Sequence, residues 1–211
     1  MLSGENLSFR YDKGKPWVLL NASIDVRPGE VLGLSGPSGQ GKTTLAKLLA
    51  GYLIPAAGRV TVDDEPLPRE GYCPVQLIFQ HPELTINPRW RIARVLSEGH
   101  TPSTDVMEAL SLDPTWLTRW PHELSGGELQ RVAVARALGP ATRYLIADEM
   151  TAMLDAVTQA QLWQAVLAQV RQHHLGLLAI SHDAPLLETI CDRVVGMDDV
   201  VTLPAAAPLP Q

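Results

Sequence analysis

Along the chain the apolar positions keep two spacings, and each predicts a different kind of element. Four short β-type runs, at residues 31–35, 77–79, 144–147 and 177–180, have strand length. The first runs into a glycine-rich loop, the second ends at Gln80, the third at Asp148 and Glu149, and the fourth at Ser181 and His182. Continuous apolar strands separated by helical stretches predict a parallel sheet covered on both faces. Open parallel sheets take ligands just beyond the carboxyl ends of their strands. Four such ends carrying polar groups therefore predict one site at one edge of the sheet.

Between the runs the spacing turns helical. Leu45, Leu48 and Leu49 share a face that stops at Gly51, a C-terminal cap. Ala156, Ala160, Trp163, Leu167 and Val170 predict a core-facing stripe, with Gln159, Gln161, Gln164 and Gln169 largely off it. Residues 81–139 read as loops and short helices, one opened by Asp113-Pro114, without a strand. They predict a helical insertion between two parts of the sheet. The last residues, 204–211, are too proline-rich to pack and predict a loose tail.

A length of 211 residues, against roughly 150 per domain, fits one domain carrying an inserted subdomain. The 45% apolar content supplies a buried core and excludes wholesale disorder. With 17 Lys and Arg against 23 Asp and Glu the net charge is −6, the wrong sign for a non-specific nucleic-acid binder. Nucleic acid is not an expected partner. Cys73 and Cys191 show no CxxC spacing, so the expectation is two buried free thiols rather than a zinc site or a disulfide. No run approaches the roughly 20 apolar residues of a membrane span. Glu5, Arg10, Asp12 and Lys13 occupy the place of a signal peptide's apolar stretch, which predicts a cytosolic chain. If it works at a membrane, other chains must supply the spanning helices.

Three local patterns carry chemistry. Gly36, Pro37, Ser38, Gly39, Gln40, Gly41, Lys42 and Thr43 fit the phosphate-binding loop GxxxxGK[ST], between a predicted strand and a predicted helix. Such a loop curls backbone N–H groups around phosphate oxygens at the positive end of a helix. Lys42 would reach the β- and γ-phosphates, and the Thr43 hydroxyl would bind Mg²⁺. Asp148 and Glu149 end a buried strand, where one carboxylate can hold Mg²⁺ and the other polarise a water. Ser125-x-x-Glu128 is a capping box, yet Gly126 and Gly127 also leave bare N–H groups at a helix start, a second anion site.

The phosphate loop, Gln80, Leu124-Ser125-Gly126-Gly127-Glu128, the Asp148-Glu149 strand end, Asp155 and His182 together resemble the ATP-binding-cassette (ABC) ATPases, over residues 2 to about 200. The resemblance implies an α/β P-loop ATPase core with a mostly parallel sheet, an antiparallel N-terminal β portion and a helical insertion subdomain. The ATPase domain would span 1–203, its core 1–80 and 140–203, its helical subdomain 81–139. The same resemblance implies that Tyr11 stacks on adenine and that Thr44 joins the loop residues around ATP. Thr43, Gln80 and Asp148 would hold Mg²⁺, with Gln80 relaying nucleotide state to membrane subunits. Glu149 and His182 would be catalytic, the latter at the γ-phosphate. Ser125, Gly126, Gly127, Glu128 and Asp155 would contact ATP held by an opposing subunit, so the chain would dimerise around two ATP molecules.

Gln80-His81-Pro82-Glu83-Leu84-Thr85-Ile86-Asn87-Pro88-Arg89 is similar to the matching segment of dipeptide, oligopeptide and nickel import ATPases. His81, Met150 and Met153 depart from that group's usual residues. The implied system takes up a peptide, nickel or a metal chelate through integral membrane permease subunits, fed by an extracytoplasmic solute-binding protein. The second ATPase subunit would be the same chain or a paralogue, at the cytoplasmic face of the inner membrane as a peripheral protein. An ABC exporter's ATPase stays open, disfavoured by Asn87-Pro88-Arg89 alone. A non-transport ABC protein would carry long coiled-coil insertions or tandem cassettes, and a small P-loop kinase would leave Leu124-Ser125-Gly126-Gly127-Glu128 and His182 unexplained. Arg89, Arg91 and Arg94 read equally as a solvated face or as part of a membrane-subunit interface.

Overall fold

The computed structural model describes residues 1–201, and the proline-rich 204–211 stretch lies outside the described residues. The strands are β1 Leu2–Phe9, β2 Leu19–Val26, β3 Val31–Ser35, β4 Ala57–Val62, β5 Glu65–Pro66, β6 Val75–Ile78, β7 Tyr144–Asp148, β8 Gly176–Ile180 and β9 Arg193–Gly196. The helices are α1 Lys42–Leu49, α2 Ile92–Leu96, α3 Thr104–Ala109, α4 Gly126–Ala137, α5 Ala156–Gln172, α6 Ala184–Ile190 and α7 Met197–Val200. Among the described residues two sheets form: a parallel sheet in the order β6-β7-β8-β3-β9 and an antiparallel sheet in the order β2-β1-β4-β5.

Every residue of β7 and β8 is buried, which is why these strands read as unbroken apolar runs. Alternate side chains serve two different cores. Tyr144, Ile146, Leu178 and Ile180 join Leu32, Leu34, Leu45 and Leu48 on one face. Leu145, Ala147, Leu177 and Ala179 join Leu162, Trp163 and Val166 of α5 on the other. Each fully buried Leu, Ile or Val contributes about 1.5–3 kcal/mol, so the two faces together hold the sheet rigid.

The antiparallel sheet closes the first core through Leu2, Leu7, Leu19 and Ile24. Its strands had no clear period in the sequence because β1 shifts register between Gly4 and Leu7 and again between Leu7 and Phe9. Each shift breaks the alternation on which strand reading depends. Between Ile78 and Tyr144 the described elements are helices and turns. Ile92, Val95, Val106, Leu110 and Trp116 of this stretch pack into the same core as α5, so it is seated on the sheet rather than tethered to it.

Asp113-Pro114 opens a short helix as expected, the 3-10 helix Pro114–Thr118, in which the Asp113 carboxylate accepts from the Thr115 N–H at 2.8 Å. The α5 stripe, by contrast, is rotated: Ala156 and Ala160 are exposed, while Leu162, Trp163, Val166, Gln169 and Val170 are buried. Cys73 and Cys191 are free and only half-buried, and burial pushes the Cys191 thiol up to about 12. Among the described residues no helix is long and apolar enough to cross a membrane.

Candidate functional site

Parallel register gathers the polar strand ends. Asp148 pairs with Ile180 and Ile180 with Leu34, while Ile78 pairs with Ala147. Just past these pairs, Gln80, Glu149, Ser181 and Ser35 therefore stand in a row at a single edge. Tyr11, Val18, Ser38, Gly39, Gly41, Lys42, Thr43, Thr44, Gln80 and Glu149 line one cleft of about 450 Å³ there.

The phosphate-type loop leaves β3 and enters α1 through Gly41, whose φ of 92° is left-handed backbone. A Cβ at this position would stand 3.2 Å from the Val18 carbonyl oxygen, so both conformation and space call for glycine. Lys42 is buried, and its Nζ donates to the Gly36 and Pro37 carbonyls at 2.6 and 2.9 Å. The loop thus satisfies its own ammonium, and an anion entering the loop exchanges these bonds for its own. The Gln40 side chain donates to Asp198 at 3.3 Å, tying the loop to α7.

Asp148 is 4% exposed. Burial pushes its carboxyl above the usual range; the Thr43 hydroxyl bond, Lys42 and Lys47 oppose this, and the neighbouring Glu149 adds to it. Glu149 sits on left-handed backbone with φ 48°, its N–H donating to the Ile180 carbonyl at 3.0 Å. A non-glycine residue there costs about 1–2 kcal/mol, and the bond to β8 helps hold it. His182 Nδ1 lies 3.4 Å from Glu149 Oε1, with the two side chains 61% and 18% exposed. Glu149 therefore joins the main cleft to a smaller one of about 140 Å³ lined by His182, Ser181 and Trp163.

Tyr11 is 59% exposed, set edge-on against Phe9 at 5.1 Å, with its hydroxyl 3.2 Å from Thr44 Oγ1. Together with Val18 and Gly39 it also borders an adjoining cleft of about 590 Å³ that Trp17, Pro16 and Met197 complete.

The remaining sequence candidates stand elsewhere. Ser125 caps α4, accepting from the Glu128 N–H at 3.3 Å while its own N–H donates to Glu128 at 2.7 Å. Ser125 and Gly126 are exposed, and Ser125, Gly126, Gly127 and Glu128 do not line the cleft of Lys42. Asp155 caps α5; its bond from the Thr158 hydroxyl and the Val157 and Thr158 N–H groups holds its carboxyl below the usual range. It too is outside that cleft.

Three contributors escaped the sequence reading. Gln130, 2% exposed, donates to the Phe79 carbonyl at 3.2 Å and so holds the backbone just before Gln80. Its signal was there: Ala133, Val134 and Ala137 share its helix side. Trp163 donates to Thr151 at 3.1 Å, anchoring the turn after Glu149. Trp17, under the Arg10 guanidinium at 4.4 Å, gave no signal short of the fold.

The ABC transporter family model matches residues 19–152, and the chain belongs to that family. The nickel import ATP-binding protein NikE of Escherichia coli (strain K12) is 35% identical over 201 residues, covering 86% of this chain and 75% of NikE. An uncharacterised ABC transporter ATP-binding protein of the same strain, YejF, is 36% identical over 198 residues, 84% of this chain but only 37% of YejF. A Brucella ovis protein provisionally named for peptide import is 34% identical over 197 residues, and the chain spans 62% of its length. In fold the chain is similar to the ATP-binding cassette MJ0796, solved as a dimer in a post-hydrolysis state with ADP and Pi. The TM-score is 0.78 at 22% identity, covering 93% of this chain and 94% of that one.

Proposed function

We propose that this chain binds and hydrolyses ATP as the nucleotide-binding subunit of an ABC import system. The observation that carries the reading is the single cleft in which the loop of Lys42 and Thr43 faces Gln80 and Glu149, with buried Asp148 beside Thr43. Lys42 and the loop N–H groups bind the phosphates, and the base lies toward Tyr11 in the adjoining cleft. The donor set suits Mg²⁺: Thr43 and Asp148 offer hard oxygens with Gln80 nearby, and the ion takes only one or two carboxylates alongside phosphate. Bound there, Mg²⁺ would neutralise charge on the β- and γ-phosphates.

The protein's own groups then divide the work. Glu149, at the seam of two clefts, accepts a proton from the attacking water. His182, beside Glu149, donates to a γ-phosphate oxygen and orients that carboxylate. Ser125, Gly126, Gly127, Glu128 and Asp155, exposed or away from this cleft, serve the nucleotide of a second ATPase subunit, the same chain or a paralogue. The dimeric state of MJ0796 supports that arrangement.

Within this reading residues 81–139 are the helical subdomain of a core made of 1–80 and 140–203. The chain docks on integral membrane permease subunits at the cytoplasmic face of the inner membrane, with an extracytoplasmic solute-binding protein delivering the cargo. The names of NikE and the Brucella relative support nickel, a metal chelate or a peptide as that cargo. The test is purification from a native host membrane. Expected are co-purifying multi-span permease subunits and Mg²⁺-dependent ATPase activity. A chain that hydrolyses ATP without membrane partners would remove the transport assignment, and one that binds no ATP would remove the whole reading.

A further inference from the structure

The cleft of Lys42 and Thr43 and the larger cleft beside it share Tyr11, Val18 and Gly39. A nucleotide whose phosphates lie at Lys42 must therefore pass these three residues, and its base enters the outer cleft of about 590 Å³. Tyr11 stands at the junction, its hydroxyl 3.2 Å from Thr44 Oγ1 at the start of α1. Trp17 lines the outer cleft and takes no part in the inner one. The base is the end of a nucleotide farthest from its phosphates, and Trp17 is the aromatic ring found only at that end.

Of the chain's five tryptophans Trp17 alone is exposed, at 43%, while the others are buried or half-buried. Tryptophan is ordinarily among the more buried residues, so an open indole on a cleft wall calls for a partner. One side of the ring already has one: the Arg10 guanidinium lies 4.4 Å from its centroid. Arg10 does not line the cleft, so the cleft meets the indole on the side that the guanidinium leaves free. The cation also braces the ring, which then loses little freedom when a flat ligand stacks on it.

The rest of the lining suits a neutral heterocycle. Asp12, Lys15 and Asp198 place charges of both signs around the cleft, so it selects no single sign of ion. Pro16, Val18 and Met197 add apolar surface beside the two aromatic rings. The volume falls within the range of small-molecule sites.

We propose that Trp17 stacks on the nucleobase as a second aromatic platform beside Tyr11, and that it makes the site prefer a nucleotide over a bare phosphate chain. This rests on the assignment of the Lys42 cleft to ATP. Trp17 acts on binding and has no part in the chemistry at Glu149.

The experiment is a calorimetric titration of the full chain with ADP and with inorganic pyrophosphate, each with Mg²⁺. The native chain should bind ADP more tightly than pyrophosphate. Trp17→Ala should weaken ADP about tenfold or more, the scale of base–aromatic stacking, and leave pyrophosphate unchanged. Trp17→Leu keeps apolar bulk without a ring; it should behave alike and decides the matter if Trp17→Ala does not fold. Trp17→Phe should restore most of the ADP affinity while losing the quenching of tryptophan fluorescence that ADP causes in the native chain. Unchanged ADP affinity in Trp17→Ala and Trp17→Leu would overturn the proposal. So would a parallel loss of pyrophosphate, which would make Trp17 a support of the whole cleft rather than a base contact. In both of those outcomes the native chain still binds ADP, and the assignment of the cleft to ATP stands. A native chain that binds neither ligand would remove that assignment and the Trp17 contact together.

Discussion

Asp148→Asn should move stability and function in opposite directions. The native carboxyl is almost fully buried, and desolvation raises its pKa despite the Thr43 bond and the attraction of Lys42 and Lys47. The folded chain therefore holds that proton more tightly than the unfolded chain. By linkage, stability is greatest below the ordinary carboxylate value and falls as pH rises through the raised one. Above both values the whole cost of the buried charge is in place, and a neutral amide of the same shape removes it. An amide oxygen can still accept the Thr43 hydroxyl bond, so the gain should be of the size seen on relieving one unfavourable site, about 0.5–2 kcal/mol. In a chain of 211 residues each kcal/mol moves Tm by about 2–4 °C. Thermal melts followed by circular dichroism, without nucleotide or Mg²⁺, should show the Asp148→Asn variant melting higher at mildly alkaline pH. The gap should close on acidification, as Asp148 itself becomes neutral. The same variant should lose Mg²⁺-dependent ATP hydrolysis. A lower melting point for the variant, or a gap that ignores pH, would rule out a burial penalty at Asp148.

Two further outcomes follow from the cleft. Glu149→Gln should keep MgATP binding and lose about 10²-fold or more in turnover, the scale of a removed general base; a loss of only a few-fold in a steady-state assay would reassign the base. Tyr11→Ala should weaken ATP binding by about 1–3 kcal/mol in a calorimetric titration, the scale of aromatic–base stacking, whereas unchanged affinity would return Tyr11 to packing against Phe9.

The parallel sheet was legible because β7 and β8 are buried on both faces, which forces unbroken apolar runs, and because the β6 and β7 runs stop at residues of the Lys42 cleft and the β8 run at Ser181 and His182 of the smaller one beside it. The phosphate loop was legible from its glycines and from Lys42. The antiparallel sheet was expected only through the family resemblance, because its register shifts break the alternation that strand reading needs, and the α5 stripe was misplaced because small Ala156 and Ala160 resemble core residues while solvent-exposed. Gln169 was set off the stripe as polar, yet it is buried on a cavity wall, a position that only the fold reveals. The grouping of Gln80 with Glu149 depends on strand order, β6 beside β7, which no local pattern encodes. Ser125, Gly126, Gly127 and Glu128 stood out in the sequence as well, but their place away from the Lys42 cleft needed the structure.

In the proposed assembly a working site takes its phosphate loop from one subunit and its Ser125 end from another. Helix N-terminal groups act on anions only within about a turn, so the chain that supplies α4 decides which nucleotide it serves. The direct measurement mixes a Lys42→Ala chain with a Ser125→Arg chain, each defective by itself, and counts ATP trapped per dimer. If the natural partner is a paralogue, the two substitutions are divided between the two proteins. One occupied site per mixed dimer is expected, where an intact loop meets an intact Ser125. Mixed dimers that trap no more nucleotide than either variant alone would contradict it.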